Sequence, residues 1–262
     1  MSISAARQPG SPLFAGRRAP AGISPDPVRV NYTGLDFDAA MEWVRARSEG
    51  GADGIFGPGS AMWMVMREPA VEANLLAPLT ILHLSHPGAG GDRDWVRRTL
   101  EDIRQILFSG MDGAAAAARR VREQGGGTVR LKWLLSALTV VSVRQFEKGA
   151  RRFRGNELAR YYEDIKKLGV AIGIPYQEWP AFWSGLLDGF LGAIENEALE
   201  TSEAARELVH SLMKRGPTPL GFLPGEILKM YGVRWDLAAR LRFEMAVLAG
   251  RMSGFRASLT TP

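Results

Sequence analysis

Cysteine is absent from this 262-residue chain, which removes disulfides, thiolate catalysis and cysteine-based metal sites together. Histidine is scarce, with His83, His86 and His210 the three present. A three-histidine zinc site would need all of them to converge, and no metal site is expected. Long apolar runs are missing too. The longest, Trp133 to Val143, is interrupted by Ser136, Thr139 and Ser142, well short of the ~18 apolar residues that cross a bilayer. Basic residues near the amino terminus have no apolar stretch behind them, unlike a secretory signal, so a cytoplasmic location is expected. There is no Gly-x-Ser-x-Gly elbow for Ser/His/Asp catalysis. The triple glycine at 125–127 lacks the lysine and hydroxyl spacing of a phosphate-binding loop.

Acidic charge is in modest deficit, giving a net +5 and a pI near 9.7. The basic pairs Arg97-Arg98, Arg119-Arg120, Arg151-Arg152 and Lys166-Lys167 are interleaved with acidic residues. That is the pattern of a solvated helix face, so nucleic acid is not an expected partner.

What is present is an ordinary globular composition, 46% hydrophobic and 23% charged, of a length suited to one large domain. Residues 1–28 are rich in Gly, Pro, Ala and Arg without periodicity and read as a flexible arm. From 29 to 262 the pattern predicts an all-α domain. Helices are expected over Phe37–Ser48 after an Asp36 cap, and after a Ser60 cap. Others are expected over Pro69–Leu84, Trp95–Ser109 capped by Asp92 or Asp94, Gly113–Gln124, and Thr128–Lys148 as the central one. Glu157–Ile172, Trp179–Glu197, Ser202–Lys214, Gly225–Met230 and Asp236–Met252 complete the series. Gly50-Gly51, Gly88–Gly91 and Gly125–Gly127 read as breaks, and no segment alternates as a core strand would.

Several residues stand out chemically. Met62 and Met66 share a helix face with Trp63 beside them, a pattern that suits either core packing or the wall of an apolar pocket. His83 and His86 lie three apart at a helix carboxyl end, where the dipole favours a protonated imidazole. They suit structure, substrate contact or acid–base work, while two ligands alone make no metal site. Arg97, Arg98 and Thr99 sit early in a helix, where cations need an anionic ligand or an acidic neighbour such as Glu101 or Asp102. Arg122 occupies a helix end, where a cation is expected anyway. His210 lies on a Glu-rich helix and reads as a surface residue.

The order of landmarks adds a further reading. Phe56-Gly57-Pro58-Gly59-Ser60-Ala61-Met62-Trp63 followed by Arg67-Glu68-Pro69-Ala70-Val71 resembles the opening motif of the mpaB/rubber-oxygenase (latex-clearing protein) family. His86-Pro87, Arg97-Arg98-Thr99-Leu100, Arg119-Arg120-Val121-Arg122, Trp133, Gly173-Ile174-Pro175, Leu223-Pro224 and Tyr231-Gly232-Val233-Arg234-Trp235 are similar to its later landmarks in the same order. The resemblance spans about Ile55 to Met252. It implies an all-α fold enclosing an apolar pocket that, in the family, holds heme b and cleaves alkene chains oxidatively.

The sequence also departs from that family. Where the resemblance places the heme-ligating histidine, this chain has Gly125. The histidine of the Trp-Val-His helix is Leu135, and the loop after His86-Pro87 is short. Heme b is therefore expected only by resemblance, and no cofactor is favoured. The expectation is a heme-independent tailoring enzyme that cyclises or isomerises a large apolar substrate, polyketide- or terpenoid-like. A heme oxygenase with an atypical ligand and a non-catalytic binding protein are the alternatives. Arg98, Thr99 and His86 are the expected catalytic residues. Met62, Trp63, Met66, His83, Arg122 and Trp133 are the expected substrate contacts. The expected partner is an apolar small molecule, and a homodimer is carried as an expectation.

Overall fold

The computed structural model describes residues 37–47, 57–87, 92–124, 127–196, 199–215, 218–233 and 237–259. The chain divides into two units, Met1–Asn31 and Tyr32–Pro262, and all the described residues belong to the second. The arm read at 1–28, the Asp36 cap, Gly50-Gly51, Phe56, Gly88–Gly91, Gly125-Gly126 and Arg234–Asp236 lie outside the described residues.

Twelve α-helices and no strand occur among the described residues: α1 (Phe37–Ala46), α2 (Ala61–Met66), α3 (Pro69–Asn74), α4 (Leu76–Leu84), α5 (Arg93–Phe108), α6 (Gly110–Glu123), α7 (Gly127–Gly149), α8 (Glu157–Ala171), α9 (Trp183–Glu195), α10 (Glu203–Arg215), α11 (Gly225–Met230) and α12 (Leu237–Leu259). The all-α class is as expected from the sequence.

Helix α7 is the axis of the domain, packing on α3, α4, α8, α9 and α12. It is buried on all sides from Leu134 to Val143, as a helix apolar all round should be. The hydroxyls that interrupt its apolar run stay within the helix. Ser136, Thr139 and Ser142 donate to the carbonyls of Lys132, Leu135 and Leu138 at 2.8, 2.5 and 2.6 Å, so none of these three hydroxyls is stranded in the core. Leu135, standing where the family resemblance places a histidine, is fully buried there.

The caps fall where the side-chain chemistry puts them. Ser60 Oγ accepts from Trp63 N at 2.9 Å, Asp92 Oδ1 from Trp95 N at 2.9 Å, and Ser202 Oγ from Ala205 N at 3.1 Å. Each satisfies an orphan donor in a first helical turn. Helix α2 has a second, long-range cap, since buried Asp164 of α8 accepts from Met62 N at 3.1 Å. Burial pushes the Asp164 carboxyl up, against these amide contacts and Lys167.

Three expected boundaries are corrected. The helix expected over Pro69–Leu84 is two helices that meet at Leu75. Pro78 has no N–H to give the Asn74 carbonyl, and its ring crowds that carbonyl. The carbonyl is taken instead by Gln145 Nε2 of α7 at 2.7 Å. Helix α9 begins at Trp183 rather than Trp179, because Pro175 and Pro180 bracket a short 3-10 turn at Tyr176–Glu178. Helix α6 begins at Gly110, whose φ of 72° turns the chain straight out of α5. Only glycine adopts that left-handed geometry at little cost.

Candidate functional site

The carboxyl end of α4 meets the amino ends of α5 and α7, and three side chains from these helices stack. His83 of α4 is fully buried. Its imidazole lies against the Trp95 indole of α5, with centroids 4.8 Å apart and planes 26° from parallel. Arg130 of α7 lays its guanidinium over the same indole, 4.0 Å from the centroid, a cation–π contact. Its Nη2 is 2.9 Å from His83 Nε2.

A guanidinium only donates, so Nε2 must accept, and the imidazole hydrogen resides on Nδ1. Burial, with Arg130 adding to it, pushes the His83 imidazole down to about 4, and Asp92 opposes this only weakly. The protonated histidine expected from the helix dipole is thus corrected. A fraction of a unit charge at a helix end does not outweigh desolvation plus a guanidinium at hydrogen-bond distance. The arrangement leaves two buried donors, His83 Nδ1–H and Trp95 Nε1–H, with no acceptor among the described residues. A buried donor without a partner costs about 1–3 kcal/mol, so this pair is costly for stability alone.

A second aromatic group adjoins the first. Trp133 of α7 donates from Nε1 to the Leu82 carbonyl at 3.1 Å. Its indole stacks on Phe190 of α9 at 5.0 Å and meets half-buried His86 at 5.1 Å. The end of α4 is fixed further by Ser85, whose Oγ lies 2.7 Å from Tyr231 OH and whose carbonyl accepts from Glu200 N at 2.7 Å. A rigid frame therefore surrounds His83.

The expected site residues do not gather in one place. His83, His86 and Trp133 belong to this cluster. Arg98 is exposed and pairs with Asp92 at 3.3 Å, the carboxylate that also acts on His83 and Arg130. Thr99 is buried and donates to Gln124 Oε1 at 3.3 Å. Gln124 and Arg120 in turn hold Asp102, at 2.6 and 2.9 Å, a network that staples α5 to α6. Arg122 donates to the Ala171 and Val170 carbonyls at 3.0 Å each, closing the carboxyl end of α8. Met62 and Met66 are core residues, and Trp63 is half-buried between Arg67 and Phe108. His210 is exposed.

Arg130 and Trp95 were missed in the sequence. No motif signals them, because Arg130 meets His83 across 47 residues through the packing of α4 on α7.

Residues 129–252 match the family model described as ER-bound oxygenase mpaB/B'/Rubber oxygenase, catalytic domain. Over this segment, a little under half of the chain, the sequence is similar to the mpaB/rubber-oxygenase catalytic domain. No curated protein and no solved structure matches the chain. The matched segment runs from the start of α7 into α12, so Arg130 and Trp133 lie inside it. His83, Trp95 and the landmarks before residue 129 precede it.

The heme that the family resemblance implies needs a buried axial donor. Gly125 has no side chain to offer, and it lies outside the described residues. Of the three histidines only His83 is fully buried, and both its nitrogens are committed, Nε2 to Arg130 and Nδ1 to its own hydrogen. No group of three or more His, Cys, Asp or Glu is placed to hold a metal among the described residues. His83 therefore does not fit as a heme ligand, which leaves half-buried His86 as the one described imidazole near the cluster that could serve.

Proposed function

We propose that this protein is a tailoring enzyme that cyclises or isomerises a large apolar substrate of polyketide or terpenoid type. It acts in the cytoplasm and does so without a histidine-ligated heme. The observation that carries this reading is the pair of unpartnered buried donors, His83 Nδ1–H and Trp95 Nε1–H, beside the Arg130 guanidinium. Donors held rigidly in a water-poor setting stabilise negative charge that develops on a substrate carbonyl or hydroxyl oxygen. A neutral imidazole suits that role, because it polarises the oxygen without giving up its proton. Half-buried His86 is the group proposed to take or return a proton at the neighbouring carbon. Trp133 and Phe190 would supply the apolar wall of the pocket. Arg98 is proposed to act through Asp92. Thr99 and Arg122 are retained as positioning residues for α5 and α8.

The heme oxygenase reading is favoured by the family match and needs His86 as ligand. Absorption spectra of protein expressed with a heme precursor separate the two. The expected result is no stoichiometric Soret band. A stoichiometric band that disappears in His86→Ala overturns the heme-free reading. Turnover of apolar carbonyl substrates, lost by on the order of a hundredfold in Arg130→Ala with folding intact, supports the oxyanion role. Turnover unaffected by that change refutes it, and ligand binding with no turnover points to a carrier instead.

A further inference from the structure

The last helix is apolar on two opposite sides. At about 100° per residue, Ala239 and Phe243 define the side of α12 that faces the domain, at about 200–240° from Leu237. Both are buried, with Phe243 edge-on to Phe222 at 5.2 Å. Leu237, Leu241, Met245 and Leu248 fall within about 80° of one another on the far side. They are 72, 57, 64 and 50% exposed. These four are half of the large apolar side chains exposed among the described residues, so the stripe is a concentrated patch rather than scatter.

Charge decides what can cover it. Exposed Arg240 and Arg242 flank the stripe, one on each side, and neither has an ion pair among the described residues. The helix sequence carries four arginines against one acidic residue, Glu244, and Glu244 is already held by Lys148 at 3.1 Å. A second copy laid stripe to stripe would set arginine against arginine with no free carboxylate to answer them. An anionic surface answers both features, since apolar side chains enter it while flanking arginines reach its phosphates and carboxylates.

We propose that α12 is a peripheral membrane-binding helix that lies flat on an anionic lipid bilayer, inserting Leu237, Leu241, Met245 and Leu248. No described helix is long and apolar enough to cross a membrane, and this one lies in the interface instead. The inference rests on α12 alone and is independent of the chemistry proposed for the His83 cluster.

The test is co-sedimentation of the full chain with vesicles of phosphatidylcholine and phosphatidylserine at 7:3, and with phosphatidylcholine alone, with light scattering of the free protein. Binding to the anionic vesicles is expected, weakened on the order of tenfold without phosphatidylserine and by raised salt. Leu241→Glu, at an exposed position, should keep the helical circular dichroism and lose binding on the order of tenfold or more. Arg240→Glu with Arg242→Glu should abolish the preference for phosphatidylserine. Failure to bind anionic vesicles, or binding by Leu241→Glu equal to wild type, overturns the proposal. So does a dimer that Leu241→Glu dissociates, which assigns the stripe to a second copy.

Discussion

At His83 an imidazole is held neutral by burial first, then by the Arg130 guanidinium and neighbouring His86, and this has a consequence for stability. The unfolded chain takes up a proton at an ordinary histidine value near 6.5, whereas the folded chain does so only at about 4. Between these values the unfolded state binds more protons, so stability falls as pH falls through that window. A displacement of this size corresponds to a loss of roughly 2–3 kcal/mol. Urea denaturation at pH 7 and pH 4.5 should show that loss in the wild type and a clearly smaller one in His83→Gln. Equal losses would mean that another group governs the acid limb. The same residue shows how little of the site was legible in the chain. His83 was visible as a scarce residue near a helix end, but its charge state was misread. The partner that sets it lies on another helix, and the indole between them bears no motif.

At the scale of elements, local chemistry explains most boundaries, and close approach explains the rest. Ser60, Asp92 and Ser202 cap the helices their positions announce. Pro78 breaks a helix whose apolar pattern runs on unbroken, because the missing N–H acts on the carbonyl four residues earlier rather than on hydrophobic spacing. Between the 3-10 turn at Thr218–Phe222 and α12, Gly221 lets Phe243 settle against the backbone, where an added methyl would overlap the ring. Gly221→Ala is therefore expected to cost about 1–3 kcal/mol. Gly189, inside α9 with no atom within 4 Å of an added methyl, should gain up to about 1 kcal/mol on change to alanine. The two denaturation midpoints should move in opposite directions. If Gly221→Ala is neutral, Phe243 does not anchor α12.

For the whole molecule, the domain is organised around α7, and the buried residues among those described run from Ala40 to Phe243, all within the unit Tyr32–Pro262. We propose that removal of residues 1–31 leaves the helical domain folded, with the helical circular dichroism and melting temperature of the full chain to within a few degrees. A large drop in melting temperature would show that the first unit contributes to the core. The peripheral helix adds a second whole-molecule role, since a bilayer surface is where an apolar substrate concentrates.

The sequence by itself determined the all-α class, the central place of α7, the principal caps and the family resemblance. These are set by periodicity, capping chemistry and landmark order, all of which act over a few residues. It also established that Gly125 cannot ligate iron, because glycine has no side chain. Only the tertiary structure decided that His83 is neutral, that Arg130 and Trp95 join it, and that Arg122 and Thr99 serve neighbouring helices. The physical reason is the same in each case. Burial and the approach of groups tens of residues apart set hydrogen-bond partners and protonation, and neither is written in local spacing.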